Sequence, residues 1–392
     1  MRNPDFTEGA AALFFGDCRD ILKEFPDNSV DAIVTDPPYE LAFMGKKWDS
    51  SGIAFQVEVW REALRIAKPG AHILAFGSTR THHRLMCAIE DAGWEIRDCL
   101  GWIYGSGFPK SLDVSKAIDK LLGLSDQRII THYKGQGPRS MFDGGKPRMV
   151  SLPVSLPAIQ WQGFGTGLKP AYEPIVLARK PLEGTVAHNV LKHGVGGLKI
   201  DGCRISTDDT RDRLWGRTKG NGVCYGNSKT YDCVTHEQGR FPANIIHDGS
   251  DEVMDLFPVT KSGIMKSGTK RAAQDQPGSV CYGTYGGNAT NLDTFGDSGS
   301  ASRFFYCAKA SRSERGEGNT HPTVKPLALM RYLCRLITPP KGLILDPFCG
   351  SGSTGKAALE EGFMFFGVEK DRESFDIAAN RIMESIEISR VA

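Results

Sequence analysis

Asp36-Pro37-Pro38-Tyr39 stands at the end of the apolar run Ala32-Ile33-Val34-Thr35. Four such residues at a strand terminus can hold an exocyclic amine and stack on an aromatic base. The Asp carboxylate and the carbonyl ahead of a proline accept hydrogen bonds from an NH2 group, the prolines stiffen the turn, and the tyrosine offers a ring face. An aromatic amine is a poor nucleophile because its lone pair is delocalised into the ring. Acceptors placed off the ring plane draw out its hydrogens, push the nitrogen toward tetrahedral geometry and free that lone pair to attack an electrophilic methyl group. The residues point to amino-group chemistry on a nucleobase; the tetrad by itself also fits a rigid strand-end turn.

A second constellation lies near the other end of the chain. Leu343-Ile344-Leu345-Asp346-Pro347-Phe348 reads as a short buried strand, and Cys349-Gly350-Ser351-Gly352-Ser353-Thr354-Gly355 follows before the helical run Lys356 to Glu361. Glycine serves where the backbone must turn tightly and let a nucleoside-like ligand approach. The next strand, Met364 to Val368, ends at Glu369, placed to accept hydrogen bonds from ribose hydroxyls. Gly350, Gly352 and Gly355 also fit the G-x-G-x-x-G of dinucleotide sites. Gly350 to Lys356 stops one residue short of a P-loop, because Ala357 stands where a Ser or Thr hydroxyl would hold magnesium. Neither alternative accounts for Asp36 to Tyr39, whereas S-adenosylmethionine as methyl donor accounts for both constellations.

With these motifs in this order the chain resembles the permuted, beta-class amino-DNA methyltransferases, and the likeness covers both ends. Gly16-Asp17 matches the family's adenine-contacting pair, Asp36 to Tyr39 its catalytic tetrad, His321-Pro322-Thr323-Val324-Lys325-Pro326 the segment ahead of the donor strand, and Asp346 to Gly352 the donor loop. Ser353 and Thr354 depart mildly from the two threonines common there. The resemblance implies that Asp36, Pro37, Pro38 and Tyr39 are catalytic. It implies that Asp17 contacts the adenine end of the donor, Glu369 its ribose, and Thr323 and Lys325 its methionine end, with Asp346, Pro347, Phe348, Gly350, Ser351 and Gly352 forming the loop around it. It further implies transfer to N6 of an adenine in double-stranded DNA, since Asp at the first tetrad position usually accompanies adenine. N4 of cytosine is the alternative, and RNA or a protein side-chain amide a more distant one. A base stacked in a duplex cannot reach such a site and would be flipped out, with Tyr39 as its new stacking partner.

The elements that must position these residues alternate as a parallel sheet requires. Strands are predicted over Leu13–Phe15, Asp31–Thr35, His72–Phe76, Ile96–Tyr104 and Glu173–Ala178, and helices over Phe55–Ala67, Thr81–Ala92, Leu112–Leu122, Leu327–Ile337 and Arg372–Glu387. The expected fold is α/β: a Rossmann-like, doubly wound, mostly parallel sheet of seven strands, circularly permuted so that the catalytic half precedes the donor half. Both motifs then sit at the carboxyl ends of strands near a topological switch point. From about Pro181 to Phe304 periodicity fades, yet apolar anchors such as Leu214-Trp215, Phe241 to Ile246 and Leu256-Phe257 argue for a folded insertion over a linker. The expected division is 1–180 catalytic half, 181–303 target-recognition insertion and 304–392 donor half.

Composition sets outer bounds. With 392 residues, 40% of them hydrophobic, the chain can bury a large core. No apolar run approaches the roughly 18 residues of a membrane span, and no signal-peptide pattern opens the chain. Its ten cysteines show no metal-site spacing and read as reduced packing thiols. Cys349 reads the same way, because direct amino methylation needs no covalent enzyme intermediate. His82-His83 at a helix start has no third ligand at suitable spacing, so no metal is expected. A formal charge of +2 does not announce a nucleic-acid binder, so phosphate contacts must be local. Arg128, Lys134, Arg139, Lys146 and Arg148 form one basic stretch; Lys261, Lys266, Lys270 and Arg271 beside Tyr282 and Tyr285 form another. Solvated surface loops are the plainer reading of each. The expected setting is the cytoplasm and the expected partner double-stranded DNA, with a homodimer left open.

Overall fold

The computed structural model describes residues 2–41, 47–107, 111–132, 149–206, 239–261, 263, 298–308 and 324–391. In chain order its strands are β1 (Phe6–Glu8), β2 (Ala11–Phe15), β3 (Val30–Thr35), β4 (Ala67–Phe76), β5 (Glu95–Ile103), β6 (Ile129–His132), β7 (Met149–Leu152), β8 (Tyr172–Arg179), β9 (Ile245–His247), β10 (Val259–Lys261), β11 (Ser298–Ser300), β12 (Tyr306–Cys307), β13 (Leu343–Asp346) and β14 (Met364–Glu369).

Among the described residues ten strands form one sheet in the order β1-β2-β14-β13-β3-β4-β8-β5-β9-β12. From β2 to β4 every pairing is parallel. β8 then runs antiparallel to both β4 and β5, and β9 and β12 resume the direction of β5. The fold class is the expected doubly wound, mostly parallel α/β sheet, but the count of seven strands is corrected. The stretch from β2 to β5 contains seven, with β1 added at one edge and β9 and β12 at the other.

Side chains of the strands alternate between two apolar layers, as a pleated sheet covered on both faces demands. Ala32, Val34, Leu74, Phe76 and Ile344 face the layer holding Leu329, Leu333 and Ala358 of the helices Leu327–Ile337 and Ser353–Glu360. Ile33, Ile73, Ala75 and Leu345 face the layer of Val59, Trp60 and Ala63 from the helix Val57–Ile66 and Leu85 from His82–Asp91. Trp60 is fully buried and donates its indole N–H to the Ala54 carbonyl at 2.9 Å, so this large ring leaves no polar atom unmet.

The compact units are Met1–Gly105 with Tyr172–Ala392, which carries the main sheet, and Ser106–Ala171. They do not follow the expected divisions at 180/181 and 303/304. Ile246 of β9, inside the span expected to be an insertion, is buried in the main core beside Trp102. In the Ser106–Ala171 unit, the helices Val114–Leu121 and Leu156–Gln160 accompany the β6–β7 hairpin. Asp119 is fully buried there and accepts from Arg128 and from the Ser155 hydroxyl at 2.6 Å. Arg128, in the basic stretch read as either a phosphate contact or solvated surface, is thus tied into this unit. Lys134, Arg139, Lys146 and Arg148 lie outside the described residues. Among the described residues no helix is long and apolar enough to cross a membrane.

Candidate active site

The parallel strands deliver their carboxyl ends to one edge of the sheet, and the expected residues follow from that. Asp17 comes just after β2, Glu369 ends β14, Asp346 ends β13 and Asp36 follows β3. Because β8 is antiparallel, its beginning lies at this same edge. That brings in Glu173, which the sequence reading did not single out.

Asp36 sits deep in this edge with its two oxygens in different situations. Oδ2 accepts from the Lys325 ammonium at 2.7 Å, whereas Oδ1 is buried with no hydrogen-bond partner among the described residues. Lys325 Nζ also donates to the Tyr39 hydroxyl at 3.0 Å, and it lies 3.4 Å from Glu173 Oε2. The Tyr39 hydroxyl donates to Glu173 Oε2 at 2.9 Å, and the Tyr104 hydroxyl donates to Glu173 Oε1 at 3.2 Å. Nζ stands 5.2 Å from the centroid of the Tyr39 ring and 4.8 Å from that of Phe76, so two aromatic faces complete its surroundings. Burial raises the Asp36 carboxyl above its ordinary range; the Lys325 charge opposes the rise and the Glu173 charge adds to it. Burial, with Asp36 and Glu173 nearby, pushes the Tyr39 phenol well above its ordinary value, so the ring stays neutral.

The tetrad turn is held by groups outside it. The Thr81 hydroxyl donates to the Tyr39 carbonyl at 2.8 Å, and buried Asp49 accepts from the backbone N–H of Glu40 at 2.9 Å and of Leu41 at 3.2 Å. Glu40 has a φ of 56°, a left-handed conformation sustained here by those two bonds.

The glycine loop is pinned from below. Asp346 is 1% exposed and bonded within the protein: Oδ1 accepts from Thr35 Oγ1 at 2.6 Å and from the Phe348 N–H at 3.0 Å, and Oδ2 accepts from Thr354 Oγ1 at 2.6 Å. It positions the loop. Burial pushes its carboxyl up to about 6 despite these donors. Arg381 reaches from the closing helix to the Ser351 carbonyl at 2.5 Å and its hydroxyl at 3.0 Å. Pro347, Ser351 and Cys349 are buried, Phe348 and Gly350 partly open. Burial keeps the Cys349 thiol neutral, which suits the packing role expected of it. Gly352 has a φ of 77°, and a Cβ there would stand 3.0 Å from the Ala378 Cβ, so helix packing as well as backbone conformation demands glycine.

Beside this loop, Glu369 Oε2 accepts from the Gly350 N–H at 2.7 Å and Oε1 from the Asp371 N–H at 2.8 Å, which couples the acid to the loop. Gly16 N–H donates to the Glu369 carbonyl at 2.9 Å, setting Asp17 beside it. Asp17 caps the helix Cys18–Ile21 and accepts from two guanidinium nitrogens of Arg19, Nε at 3.0 Å and Nη2 at 2.7 Å. Thr323, with His321 and Pro322, lies outside the described residues. The residues present suit a nucleoside-bearing donor: two carboxylates on adjacent strand ends retain lone pairs, and the neighbouring turn has glycines with φ of 52° and 77°. Among the described residues no group of three or more metal-ligating side chains occurs.

The sequence matches a DNA methylase family across residues 30–380. It is 23% identical over 330 residues to the type II methyltransferase M.HindIII of Haemophilus influenzae, covering 83% of this chain and 68% of that one. It is also 47% identical over 49 residues to the putative methylase YubD of Escherichia coli, 12% of this chain and 22% of that one. Among solved structures, the M1.HpyAVI–SAM complex is 15% identical, with 95% and 98% of the two chains covered and a TM-score of 0.41. The cytosine-N4-specific PvuII DNA methyltransferase is 12% identical, with 99% and 94% covered and a TM-score of 0.44. The chain belongs to the DNA methylase family. It is a DNA methyltransferase, with S-adenosylmethionine as the methyl donor.

Proposed function

We propose that the protein transfers a methyl group to N6 of a flipped-out adenine in double-stranded DNA, and that it is of the permuted, beta-class kind. The observation that carries the acceptor reading is the buried, unpartnered Oδ1 of Asp36 beside the Tyr39 ring, at the strand end next to the glycine loop. An unmet buried acceptor is costly, and one hydrogen of an exocyclic NH2 would satisfy it. The permuted order is supported by the chain itself, since β3 with Asp36 precedes β13 with its glycine loop and the two pair side by side.

In this reading Asp36 and the adjoining proline carbonyl take the amino hydrogens, and Tyr39 stacks on the base. The donor supplies an electrophilic methyl group when bound. Asp17 and Glu369 would hold its adenosine part, with Gly350 and Gly352 giving close approach, and Thr323 its methionine end. Lys325, assigned by resemblance to that same end, stands on Asp36, Tyr39 and Glu173 and is better placed to keep the Asp36 carboxylate charged. With the donor bound there, the amine lone pair would form the new N–C bond to its methyl, the S–C pair would stay on sulfur, and the amine would then lose one proton.

The choice of adenine rests on Asp36 as the first residue of the tetrad; N4 of cytosine is the alternative and uses the same acceptors. Sequence recognition we assign to loops of 181–303, with Ser106–Ala171 as second candidate because it forms a compact unit of its own. Methylated DNA digested to nucleosides and weighed by mass spectrometry tests the target: N6-methyladenine is expected, and N4-methylcytosine as sole product would overturn the choice. Replacing Asp36 by Ala should lower transfer roughly 10²- to 10³-fold while leaving donor binding in place. Near-normal turnover by Asp36→Ala would remove the acceptor mechanism itself.

A further inference from the structure

The Lys325 ammonium has three oxygens around it: it donates to Asp36 Oδ2 at 2.7 Å and to the Tyr39 oxygen at 3.0 Å, and it pairs with Glu173 Oε2 at 3.4 Å. The shortest contact is to Asp36 Oδ2, the companion of the unmet Oδ1 that an arriving amino group would take, so Lys325 draws on the charge of the same carboxylate that the target needs as acceptor. The longest is to Glu173, so a small shift of Nζ exchanges one carboxylate for the other. Tyr39 is tied to the same group, because its hydroxyl accepts from Lys325 and donates to Glu173. Glu173 itself is anchored from the far side by the Tyr104 hydroxyl, at the end of the neighbouring strand β5.

We propose that Glu173 is a positioning residue of methyl transfer: it takes Lys325 as the target amine engages Asp36, and it fixes the Tyr39 ring through its hydroxyl. This rests on the reading of Asp36 as the amine acceptor. Without a carboxylate at 173, Lys325 has one anionic partner and stays on it, which weakens that carboxylate as an acceptor for the amine at Oδ1. With Glu173 present, the ammonium keeps an anionic neighbour in either position. The charged and titratable groups around Asp36 are Lys325 ahead of the helix Leu327–Ile337, Glu173 on β8, Tyr39 in its own turn and Asp346 on β13. Removing the Glu173 charge takes away one contribution that raises the Asp36 carboxyl.

The test uses the full chain with Glu173→Gln and Glu173→Asp, a tritiated donor and duplex DNA in single turnover across pH, with donor affinity measured by calorimetry. Glu173→Gln keeps the shape and one acceptor oxygen while removing the charge, and should lower the single-turnover rate, on the order of 10²-fold for a misplaced reacting group. Donor affinity should stay within about twofold and the acid limb of the rate profile should move to lower pH. Glu173→Asp should recover about tenfold of the loss, because it restores the charge. A Glu173→Gln protein with the wild-type rate and an unmoved acid limb overturns the proposal; so does equal failure of both variants with donor binding lost, which would mark a purely structural role. Absence of duplex methylation by the unsubstituted protein would instead overturn the function reading.

Discussion

Thr35 Oγ1 donates to Asp346 Oδ1 across 2.6 Å, joining the last residue of β3 to the last residue of β13 over 311 positions of chain. The bond ties the strand that carries the tetrad to the strand that carries the glycine loop. Thr35→Val keeps the shape and removes the donor, leaving that oxygen with the Phe348 N–H alone. Stability should fall by about 1–3 kcal/mol, read as a lower urea midpoint, and Thr35→Ser should restore it. An unchanged midpoint for Thr35→Val would mean that the bond carries no net stability.

The same carboxyl has a consequence for pH. Asp346 titrates near 3.8 when exposed and is pushed up to about 6 in the folded chain, with burial the main cause. A raised folded value means that the protonated form is favoured by folding. The contribution is fully present below about 4 and is lost as pH rises through about 6, roughly 3 kcal/mol in all for a shift of this size. Asp346→Asn fixes the group in a neutral form that still accepts from Thr35 and Phe348. The stability difference between Asp346→Asn and the unsubstituted protein should therefore grow in favour of the variant between pH 4 and pH 7, measured by urea unfolding. A difference flat over that range would contradict the assignment.

Gly352→Ala should destabilise the chain by at least about 1–2 kcal/mol, because alanine must adopt a φ of 77° with its methyl against Ala378. The loop must then move relative to Gly350 and Ser351, so donor affinity measured by calorimetry should fall as well. Donor binding at full strength by a folded Gly352→Ala protein would separate the loop from the donor site.

Recognition can be approached by excision. Ile103 of β5 pairs with Tyr172 of β8, so removing 106–171 leaves neighbouring ends that a short glycine-rich turn can close. The shortened protein should keep its thermal unfolding transition and bind the donor. If Ser106–Ala171 reads DNA, methylation of the recognised site should disappear; persistence of methylation at the same sequence would assign recognition to 181–303. The converse excision of 181–303 is not clean, because β9 belongs to the main sheet.

Much of this was legible in the sequence where the signal is local. The helix Leu327–Ile337 has the expected bounds because its apolar residues keep one period between Pro326 and Thr338. The strand ends bearing Asp36, Asp346 and Glu369 were likewise marked by short apolar runs closed by an acid. β4 begins at Ala67 and not at His72: Lys68-Pro69-Gly70 lies where its pairing with β3 shifts register, and an irregular stretch of this kind has no strand period to detect. β9 is only three residues long and gives no periodicity to detect. Glu173 heads the apolar run Pro174 to Ala178, a carboxylate at the mouth of a buried strand, which is a usable signal. Its meaning depends on β8 being antiparallel, however, and local pattern does not report strand direction. The bond of Lys325 to Asp36 spans 289 positions, so only the folded sheet discloses it.

The order of the halves also governs how the chain is made. β3 is buried on both faces and takes β4 on one side and β13 on the other, yet β13 begins 308 residues after β3 ends. At a ribosomal speed of about 5–20 residues per second, that separation is roughly 15–60 seconds of synthesis. Throughout that interval Val30 to Thr35 presents an open apolar edge, the kind that pairs with another chain when left uncovered. Products released before Leu343 are therefore expected to aggregate, and the strand that brings the glycine loop doubles as the cover that ends the nascent protein's exposure.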